Sequence, residues 1–285
     1  MKIAYLGPEG SYSHLAAKRF IKAETGKEGE ENLAVNECVP FRNFNEVFTA
    51  VSSGKVDAAA VPIGNSLQGG VLQNLDLLQD AEDLYAVREC VLRVDNRLIY
   101  KEGTPFSQIG RVYSHEQALS QCTAFLTREM PFATLRQTES TAFGVGKAME
   151  DDSGKSAAIG GAHTEHLRPG FVMSEQCISD EVNNFTHFLL IKKGKEKLPA
   201  HSNRLYFSAV CPHRPGSLME LLQIIFKYGI NMTKIESRPV KHRPGDFRFF
   251  VEADCDIGSE TVLAALEAIR RDTLECKVLG AYQAE

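Results

Sequence analysis

Short apolar runs alternate with amphipathic stretches from residue 2 to about residue 188, and this alternation constrains the fold more than any other feature. Such a rhythm is typical of α/β domains, in which helices pack on a largely parallel sheet. The chain has 285 residues, of which 43% are apolar. That is enough for about two domains with buried cores, so we predict a two-domain α/β protein.

The bounds of individual elements follow from apolar periodicity, glycines and helix caps. Strands are predicted at residues 3–6, 56–63, 85–94, 97–100, 111–113, 133–136, 156–159 and 186–191. Helices are predicted at residues 11–21, 44–52, 71–78 and 116–129, and a further helix begins near Ser140.

A second unit follows a charged segment. Residues 192–199 contain Lys, Gly and Pro without apolar periodicity, so we predict a linker at 192–202. Beyond it, strands are predicted at 204–210, 230–238, 247–254 and 276–282, with helices at 215–228 and 259–271. This βαββαβ order over about 80 residues predicts a ferredoxin-like module at 203–285.

Charge and cysteine content exclude several functions. With 37 acidic and 32 basic residues the net charge is −5, so there is no overall positive field to hold nucleic acid or an anionic membrane. The seven cysteines form no CxxC pair, which predicts free thiols and no metal site. The sequence contains no apolar run of about 18 residues and begins in a strand instead of a signal peptide, so we expect a cytoplasmic protein.

Polar clusters at predicted strand ends are candidate sites, because open α/β sheets bind ligands at the carboxyl ends of their strands. Gly7-Pro8-Glu9-Gly10 joins a strand to a helix, so its amides suit a carboxylate or phosphate, although α/β domains also need such turns for structure alone. Ser114-His115-Glu116-Gln117 fits either a site or a capping box, and Gln121 follows Gln117 by one helical turn.

Two further clusters lie later in the chain. The hydroxyls of Ser140-Thr141 at a predicted helix start either bind a ligand or cap the helix. Asn183-Asn184-Phe185-Thr186-His187 places more polar groups at a strand entrance than a turn requires. With no Ser-His-Asp arrangement and no acid–base carboxylate pair, these patterns alone predict an anion-binding cleft and no specific reaction.

Together these segments resemble the prephenate dehydratase family with a C-terminal ACT regulatory domain. The matching catalytic segments are Leu6-Gly7-Pro8-Glu9-Gly10-Ser11-Tyr12-Ser13, Val61-Pro62-Ile63-Gly64-Asn65-Ser66, Ser114-His115-Glu116-Gln117-Ala118-Leu119-Ser120-Gln121-Cys122, Glu139-Ser140-Thr141-Ala142 and Asn184-Phe185-Thr186-His187-Phe188. The ACT segments are Pro215-Gly216-Ser217-Leu218 and Gly229-Ile230-Asn231-Met232-Thr233-Lys234-Ile235-Glu236-Ser237-Arg238-Pro239. The similarity covers nearly the whole chain.

The resemblance implies a catalytic region at 1–191 with two lobes, similar in shape to periplasmic binding proteins, and an active site between them. Lobe 1 would comprise 1–78 and 182–190, and lobe 2 would comprise 79–181. The implied reaction converts prephenate to phenylpyruvate, carbon dioxide and water without a metal or organic cofactor. Because the reaction creates an aromatic ring, the protein must mainly hold a dianion, assist the departing hydroxide and exclude water.

The same resemblance assigns roles to individual residues. Thr186 is expected to act on the leaving hydroxyl by hydrogen-bonded polarisation, because a free threonine is a poor acid. Further catalytic roles are expected for Asn65, Ser114 and Gln121. The residues expected to bind substrate or line the cleft are Gly7, Pro8, Gly10, Ser66, Gln117, Ser140, Thr141, His187 and Phe188.

Two positions depart from the family pattern. Gly64 stands where the family usually has Glu, and His187 stands where it usually has Arg. If that arginine contacts the substrate, its loss weakens binding of a dianion by about 1 to 3 kcal/mol. The alternatives to prephenate dehydration are therefore arogenate dehydration, non-aromatising decarboxylation of prephenate, and a catalytically weak phenylalanine-binding regulator.

The ACT resemblance implies feedback control by L-phenylalanine bound between two ACT modules. The expected effector residues are Pro215, Gly216, Ser217, Leu218, Asn231, Glu236, Ser237, Arg238 and Pro239. The amides at the helix start near Gly216 suit the effector carboxylate. We expect a homodimer or homotetramer that binds neither nucleic acid nor membrane.

Overall fold

The computed structural model describes residues 1–26, 37–164, 167–194, 198–199, 201–241 and 243–284. Within them, two sheets organise the chain, one of ten strands and one of five. No helix in this described part is long and apolar enough to cross a membrane.

The first lobe is built on one half of the larger sheet. Its elements are β1 (Lys2–Leu6), α1 (Tyr12–Thr25), β2 (Glu37–Phe41), α2 (Phe44–Ser52), β3 (Ala58–Asn65), β4 (Gly69–Gly70), α3 (Leu72–Asp80), β5 (Leu84–Arg93) and the returning strand β11 (Phe185–Lys193). The strand order is β5-β11-β3-β1-β2. Strands β1, β2 and β3 are parallel, and β5 runs in the same direction, because β5 and β3 are both antiparallel to β11. Four of the five strands in this order therefore run the same way, as predicted for a largely parallel sheet, and β11 is the exception.

The second lobe is built on the five-stranded sheet, in the order β10-β6-β9-β7-β8. Its elements are β6 (Asn96–Lys101), a 3-10 turn at Phe106–Gln108, β7 (Arg111–Ser114), α4 (Glu116–Ser120), α5 (Thr123–Glu129), β8 (Thr134–Gln137), α6 (Thr141–Met149), β9 (Ser156–Gly161) and β10 (Phe171–Met173). This sheet is also mixed, since β6 pairs antiparallel with β9 and β10.

The single helix predicted at 116–129 is interrupted after Ser120. The carbonyl of Gln121 accepts from the Asp180 amide at 2.7 Å, and the Asp180 carboxylate accepts from the Ala124 amide at 3.0 Å. These tertiary hydrogen bonds replace intrahelical ones, which is why apolar periodicity did not reveal the break.

The C-terminal module contains β12 (Arg204–Cys211), α7 (Ser217–Lys227), β13 (Asn231–Pro239), β14 (Phe247–Asp254), α8 (Glu260–Asp272) and β15 (Glu275–Tyr282). Its βαββαβ order and its strand order β13-β14-β12-β15 confirm the predicted ferredoxin-like fold. Of the predicted linker at 192–202, Lys192 and Lys193 belong to β11, and residues 195–197 and 200 lie outside the described residues.

The C-terminal module packs directly on the first lobe. Its face carrying Tyr206, Phe250 and Leu279 joins the apolar core beneath α2 and α3. Lys277 Nζ donates to the last carbonyls of α3 and the residue after it, at 3.0, 2.7 and 2.5 Å for Leu78, Gln79 and Ala81. Burial lowers the pKa of Lys277. A side chain from β15 therefore caps α3 of the first lobe.

Candidate active site

A cavity of about 970 Å³ lies between the two lobes. The first lobe contributes Gly7, Pro8 and Glu9, and α6 of the second lobe contributes Ser140 and Phe143 among others. A neighbouring cavity of about 250 Å³ is lined by residues that include Gly10, His14, Thr141 and His163. The structure thus brings two of the predicted polar clusters together across one cleft.

Two helices direct their N-termini into this cleft. Ser11 Oγ accepts from the His14 amide at 3.2 Å in α1, and Ser140 Oγ accepts from the Phe143 amide at 3.1 Å in α6. A Cβ built on Gly10 would lie 3.7 Å from that of Ala142, so the two helix starts nearly touch. Neither first turn contains an acidic residue. Their positive dipole ends and free first-turn amides favour an anion despite the net charge of −5.

An amide cluster links the two lobes, and one of its members, Asn65, also lines a cavity of about 290 Å³ against the C-terminal module. Asn65 Nδ2 donates to Thr186 Oγ1 at 3.0 Å and to Asn184 Oδ1 at 2.7 Å. Asn184 Nδ2 donates in turn to Gln121 Oε1 of the second lobe at 3.2 Å. Hydrogen bonds through Asn184 therefore connect the Asn65–Thr186 pair to Gln121, and all three are predicted catalytic residues. Asn184 lay in a predicted polar cluster but was not among the predicted site residues, and its full burial was the missing signal.

The orientation of the Asn65 amide determines what Thr186 can do. Asn65 Oδ1 accepts from the backbone amides of Leu67 and Gln68 at 3.0 and 3.2 Å, so its NH2 group must face Thr186. Because Thr186 Oγ1 accepts from Asn65, its own proton remains available for a ligand. This arrangement suits hydrogen-bonded assistance to a departing oxygen.

Three predicted site residues have structural partners in this conformation. Ser114 is fully buried, and its hydroxyl donates to the Ile159 carbonyl at 2.8 Å. Phe188 is 1% exposed within the core of the first lobe, so its ring does not reach the cleft and the expectation of substrate contact is corrected. Ser66 Oγ bonds the backbone at the entrance of β11.

The capping box predicted at Ser114 and Gln117 does not form. Instead, His115 is the N-cap of α4, and its Nδ1 accepts from the Gln117 amide at 3.3 Å. The Ser114 hydroxyl is committed to β9, because Ser114 ends a strand that lies beside it. The role predicted for the Gln117 side chain stays a prediction.

His187 lies on the opposite face of β11 from Thr186, because successive strand residues alternate between faces. Phe188 packs on the α1 side of the sheet, whereas Leu189 packs in the core that contains Tyr206 of the C-terminal module. Thr186 shares the face of Phe188, and His187 shares that of Leu189. We therefore correct the expectation that His187 binds substrate beside Thr186.

His187 and Gly64 instead line a cavity of about 290 Å³ against the C-terminal module. Arg204, Thr233 and Lys234 of that module line the same cavity. His187 Nδ1 lies 2.8 Å from Glu89 Oε1, and Glu89 is 2% exposed. No local pattern around Glu89 indicated that this carboxylate is buried.

Aromatic and imidazole groups that sequence reasoning missed close the cleft. His14 Nδ1 accepts from the Gly10 amide at 3.1 Å, and His163 Nε2 of the second lobe lies 3.0 Å from the Gly10 carbonyl. Tyr12 Oη accepts from the Asp95 amide at 2.9 Å, and burial raises the pKa of Tyr12. A hydrogen bond from Arg97 lowers the pKa of the Asp95 carboxyl. These contacts join the lobes around the Gly10 turn.

The predicted effector residues fall into two groups. Pro215 and Ser217 line a cavity of about 370 Å³ between the β12–α7 loop and the β13–β14 hairpin, and Gly216 has a φ of +88° that favours glycine. Arg238, in contrast, faces the first lobe and bonds both carboxylate oxygens of Asp76 on α3.

The remaining predicted effector residues lie along β13 and the start of α7. Glu236 faces Gly70 of the first lobe, where a Cβ on that glycine would lie 2.9 Å from Glu236 Oε1. The exposed positions of β13 include Asn231, Ser237 and Pro239, and Leu218 packs at the edge of the module's core. Among the described residues no group of three or more His, Cys, Asp or Glu side chains could hold a metal ion.

Comparisons with known proteins identify the family. Residues 3–196 match the model of prephenate dehydratase, and residues 206–271 match that of the ACT domain. The chain is 32% identical over 283 residues to a bifunctional chorismate mutase/prephenate dehydratase of Aquifex aeolicus, covering 99% of this chain and 73% of that protein. It is 31% identical over 283 residues to a prephenate dehydratase of Amycolatopsis methanolica, covering 99% and 88%.

A solved structure shares the fold over almost the whole chain. The prephenate dehydratase of Arthrobacter aurescens, in complex with L-Phe, superposes with a TM-score of 0.84 at 28% identity, covering 99% of this chain and 90% of that one. The chain therefore belongs to the prephenate dehydratase family and carries an ACT domain at its C-terminal end.

Proposed function

We propose that this protein is a cytoplasmic prephenate dehydratase that forms phenylpyruvate for L-phenylalanine biosynthesis. The observation that carries the proposal is the hydrogen bond from Asn65 to Thr186 at the junction of the lobes, within a region that matches the prephenate dehydratase family. We further propose a catalytic domain at 1–191, with lobes at 1–78 plus 182–190 and at 79–181, a linker at 192–202 and an ACT domain at 203–285.

Formation of an aromatic ring in the substrate drives the reaction. Prephenate is a dianion that loses carbon dioxide and its ring hydroxyl, and the electron pair of the broken C–C bond completes the aromatic ring as the C–O bond breaks. The products are phenylpyruvate, which retains one carboxylate, carbon dioxide and hydroxide, which becomes water by taking up a proton. The Thr186 hydroxyl donates a hydrogen bond to the departing oxygen and so stabilises its developing charge.

The two carboxylates of the substrate need positive partners. The converging starts of α1 and α6 supply dipoles and amides on both sides of the cleft. This explains how the chain binds a dianion although His187 faces away from Thr186. Gln121 and Asn184 hold the two lobes in register around the ligand.

We propose that L-phenylalanine binds the ACT domain and inhibits the enzyme. Support comes from the related Arthrobacter aurescens enzyme, whose structure contains L-Phe. The β12–α7 loop around Pro215 and Gly216 forms a cavity at the start of α7, whose amides suit a carboxylate. Because this cavity opens at the module's edge, two ACT domains of a homodimer or homotetramer complete the site.

Product identification after incubation with prephenate tests the proposed reaction. Phenylpyruvate supports it, a non-aromatic keto acid indicates decarboxylation alone, and no turnover supports a regulator. A parallel incubation with arogenate separates the two dehydratase activities by whether phenylalanine appears. Thr186→Val is expected to lower kcat by about a hundredfold, and Thr186→Ser, which keeps the hydroxyl, by less than about tenfold.

A further inference from the structure

We propose that Arg204, at the start of ACT strand β12, is a positioning residue for the reaction at Thr186, acting through the buried Glu89 and His187. This inference rests on the proposed function and gives a role to Arg204 and Glu89, to which neither the family motifs nor the cleft assign one. It makes the ACT domain part of the support of the active site as well as its regulator.

His187 is held by a contact with Glu89. Within the described residues, the imidazole has one hydrogen-bond partner, Glu89 Oε1 at 2.8 Å. Gly64 lies directly opposite His187 on β3 and offers no side chain to hold the ring. The orientation of His187 therefore depends on Glu89.

The carboxylate of Glu89 is buried close to Arg204. Its carboxylate is 2% exposed, and Oε2 has no hydrogen-bond partner among the described residues. Arg204 Nη1 lies 4.0 Å from Oε2 and also contacts Glu252, while Arg204 Nε lies 2.8 Å from Asp254 Oδ1. A carboxylate buried to this degree is costly without a nearby cation, and Arg204 of the ACT domain reaches Glu89 Oε2 with a charge that it shares with Glu252 and Asp254.

The β3–β11 ladder connects His187 to the Thr186 hydroxyl. The pair His187 and Gly64 and the pair Thr186 and Asn65 are consecutive rungs of the same β3–β11 ladder. A shift of His187 therefore displaces the backbone that sets the Thr186 hydroxyl against the Asn65 amide. Small displacements of a reacting group lower turnover more than they lower binding.

The full-length Arg204→Gln variant tests this positioning role, with Arg248→Gln as the matched control. Arg248 is also in the ACT sheet, its side chain is 17% exposed against 16% for Arg204, and it pairs with Glu275 at 2.7 Å instead of with the catalytic region. We expect Arg204→Gln to lower kcat by about ten- to a hundredfold with little change in KM, and Arg248→Gln to change kcat by less than about twofold.

Two further measurements separate positioning from loss of fold. Arg204→Lys keeps the charge and should recover most of the lost kcat, and rates are compared per folded protein, measured by circular dichroism. In nitrogen-15 histidine spectra, the His187 signal, assigned with His187→Gln, should shift in Arg204→Gln, return towards its wild-type position in Arg204→Lys and stay unchanged in Arg248→Gln.

Equal kcat losses in Arg204→Gln and Arg248→Gln, or an unmoved His187 signal in Arg204→Gln, would overturn the inference. If Arg204→Gln does not fold, Glu89→Gln takes its place, and a His187 signal and a kcat equal to those of wild type in that variant would overturn the inference. Absence of turnover in the wild-type protein would instead refute the proposed function, so the two failures are distinguishable.

Discussion

Gly64 on β3 and His187 on β11 lie directly opposite one another, on the side of the sheet that faces the ACT domain. These are the two positions at which the resemblance predicted Glu and Arg instead, so the two predicted departures form one structural pair. A Cβ on residue 64 would lie 2.9 Å from Lys234 Nζ, so the ACT lysine occupies the space that a side chain at Gly64 would use.

Restoring the family residues should therefore show coupling between the two positions. In Gly64→Glu the new carboxylate meets the flexible Lys234, and in His187→Arg the new cation meets Glu89. We expect both single variants to fold. In the double variant, the cross-strand ion pair should raise the free energy of unfolding by about 0.2 to 1 kcal/mol beyond the sum of the two single effects. Thermal and denaturant unfolding of the four proteins measures this term.

Activity assays on the same four proteins test whether the natural residues impair catalysis. Because Gly64 and His187 face away from Thr186, we expect kcat/KM in each variant to stay within about tenfold of wild type. A hundredfold rise in either single variant would show that these substitutions had weakened the enzyme.

A negative charge at the start of α6 should weaken substrate binding. Ala142 lies where α6 approaches Gly10. Ala142→Asp therefore places a negative charge at the positive end of the helix dipole, where it repels the dianion that we assign to this site. We expect KM for prephenate to rise about tenfold, with a smaller rise at high salt. Thr261→Asp, in the first turn of α8 in the ACT domain, is the control, and an equal rise in KM there would contradict the assignment.

The ion pair between Arg238 and Asp76 should compete with the effector. If the Arg238 guanidinium also binds the L-phenylalanine carboxylate, Asp76→Asn frees it and should tighten effector binding by about three- to tenfold. Calorimetric titration measures this affinity. The control is Asp80→Asn on the same helix, because Asp80 pairs with Lys241 at 3.6 Å at the surface. Unchanged affinity in Asp76→Asn would show that Arg238 only docks the ACT domain on α3.

Buried tyrosines at the domain interface should make folding sensitive to alkali. Burial raises the pKa of both Tyr206 and Tyr282 above the ordinary value of 10.0. A raised folded-state pKa contributes stability that is present below pH 10 and is lost at higher pH, because the unfolded chain releases its phenolic protons first. The free energy of unfolding, measured between pH 8 and 11.5, should therefore fall above about pH 10.

Tyr206→Phe removes one of the phenolic protons released on unfolding. In the alkaline range it should therefore make the slope of the free energy of unfolding with pH less steep by about 1.4 kcal/mol per pH unit. At pH 7 we expect little loss of stability, since the Tyr206 hydroxyl has no hydrogen-bond partner within the described part of the chain. An unchanged alkaline slope in this variant would contradict the assignment to Tyr206.

Several elements could be predicted because their determinants are local. The helix at Phe44–Ser52 and the βαββαβ order of the C-terminal module follow from apolar periodicity, caps and turn residues. Strand β2 was missed, and so was the interruption of the helix after Ser120, because each depends on partners distant in sequence. The antiparallel course of β11 likewise depends on the return of the chain from the second lobe.

The sequence by itself determined the family and the kind of fold of each part, and it predicted roles for Thr186 and Asn65, since both kinds of information lie in segments of consecutive residues. Only the tertiary structure decided which face of β11 carries His187, that Glu89 is buried and that Arg204 compensates it. Burial and long-range pairing are properties of the packed chain, and a local pattern cannot encode which charge meets which across an interface.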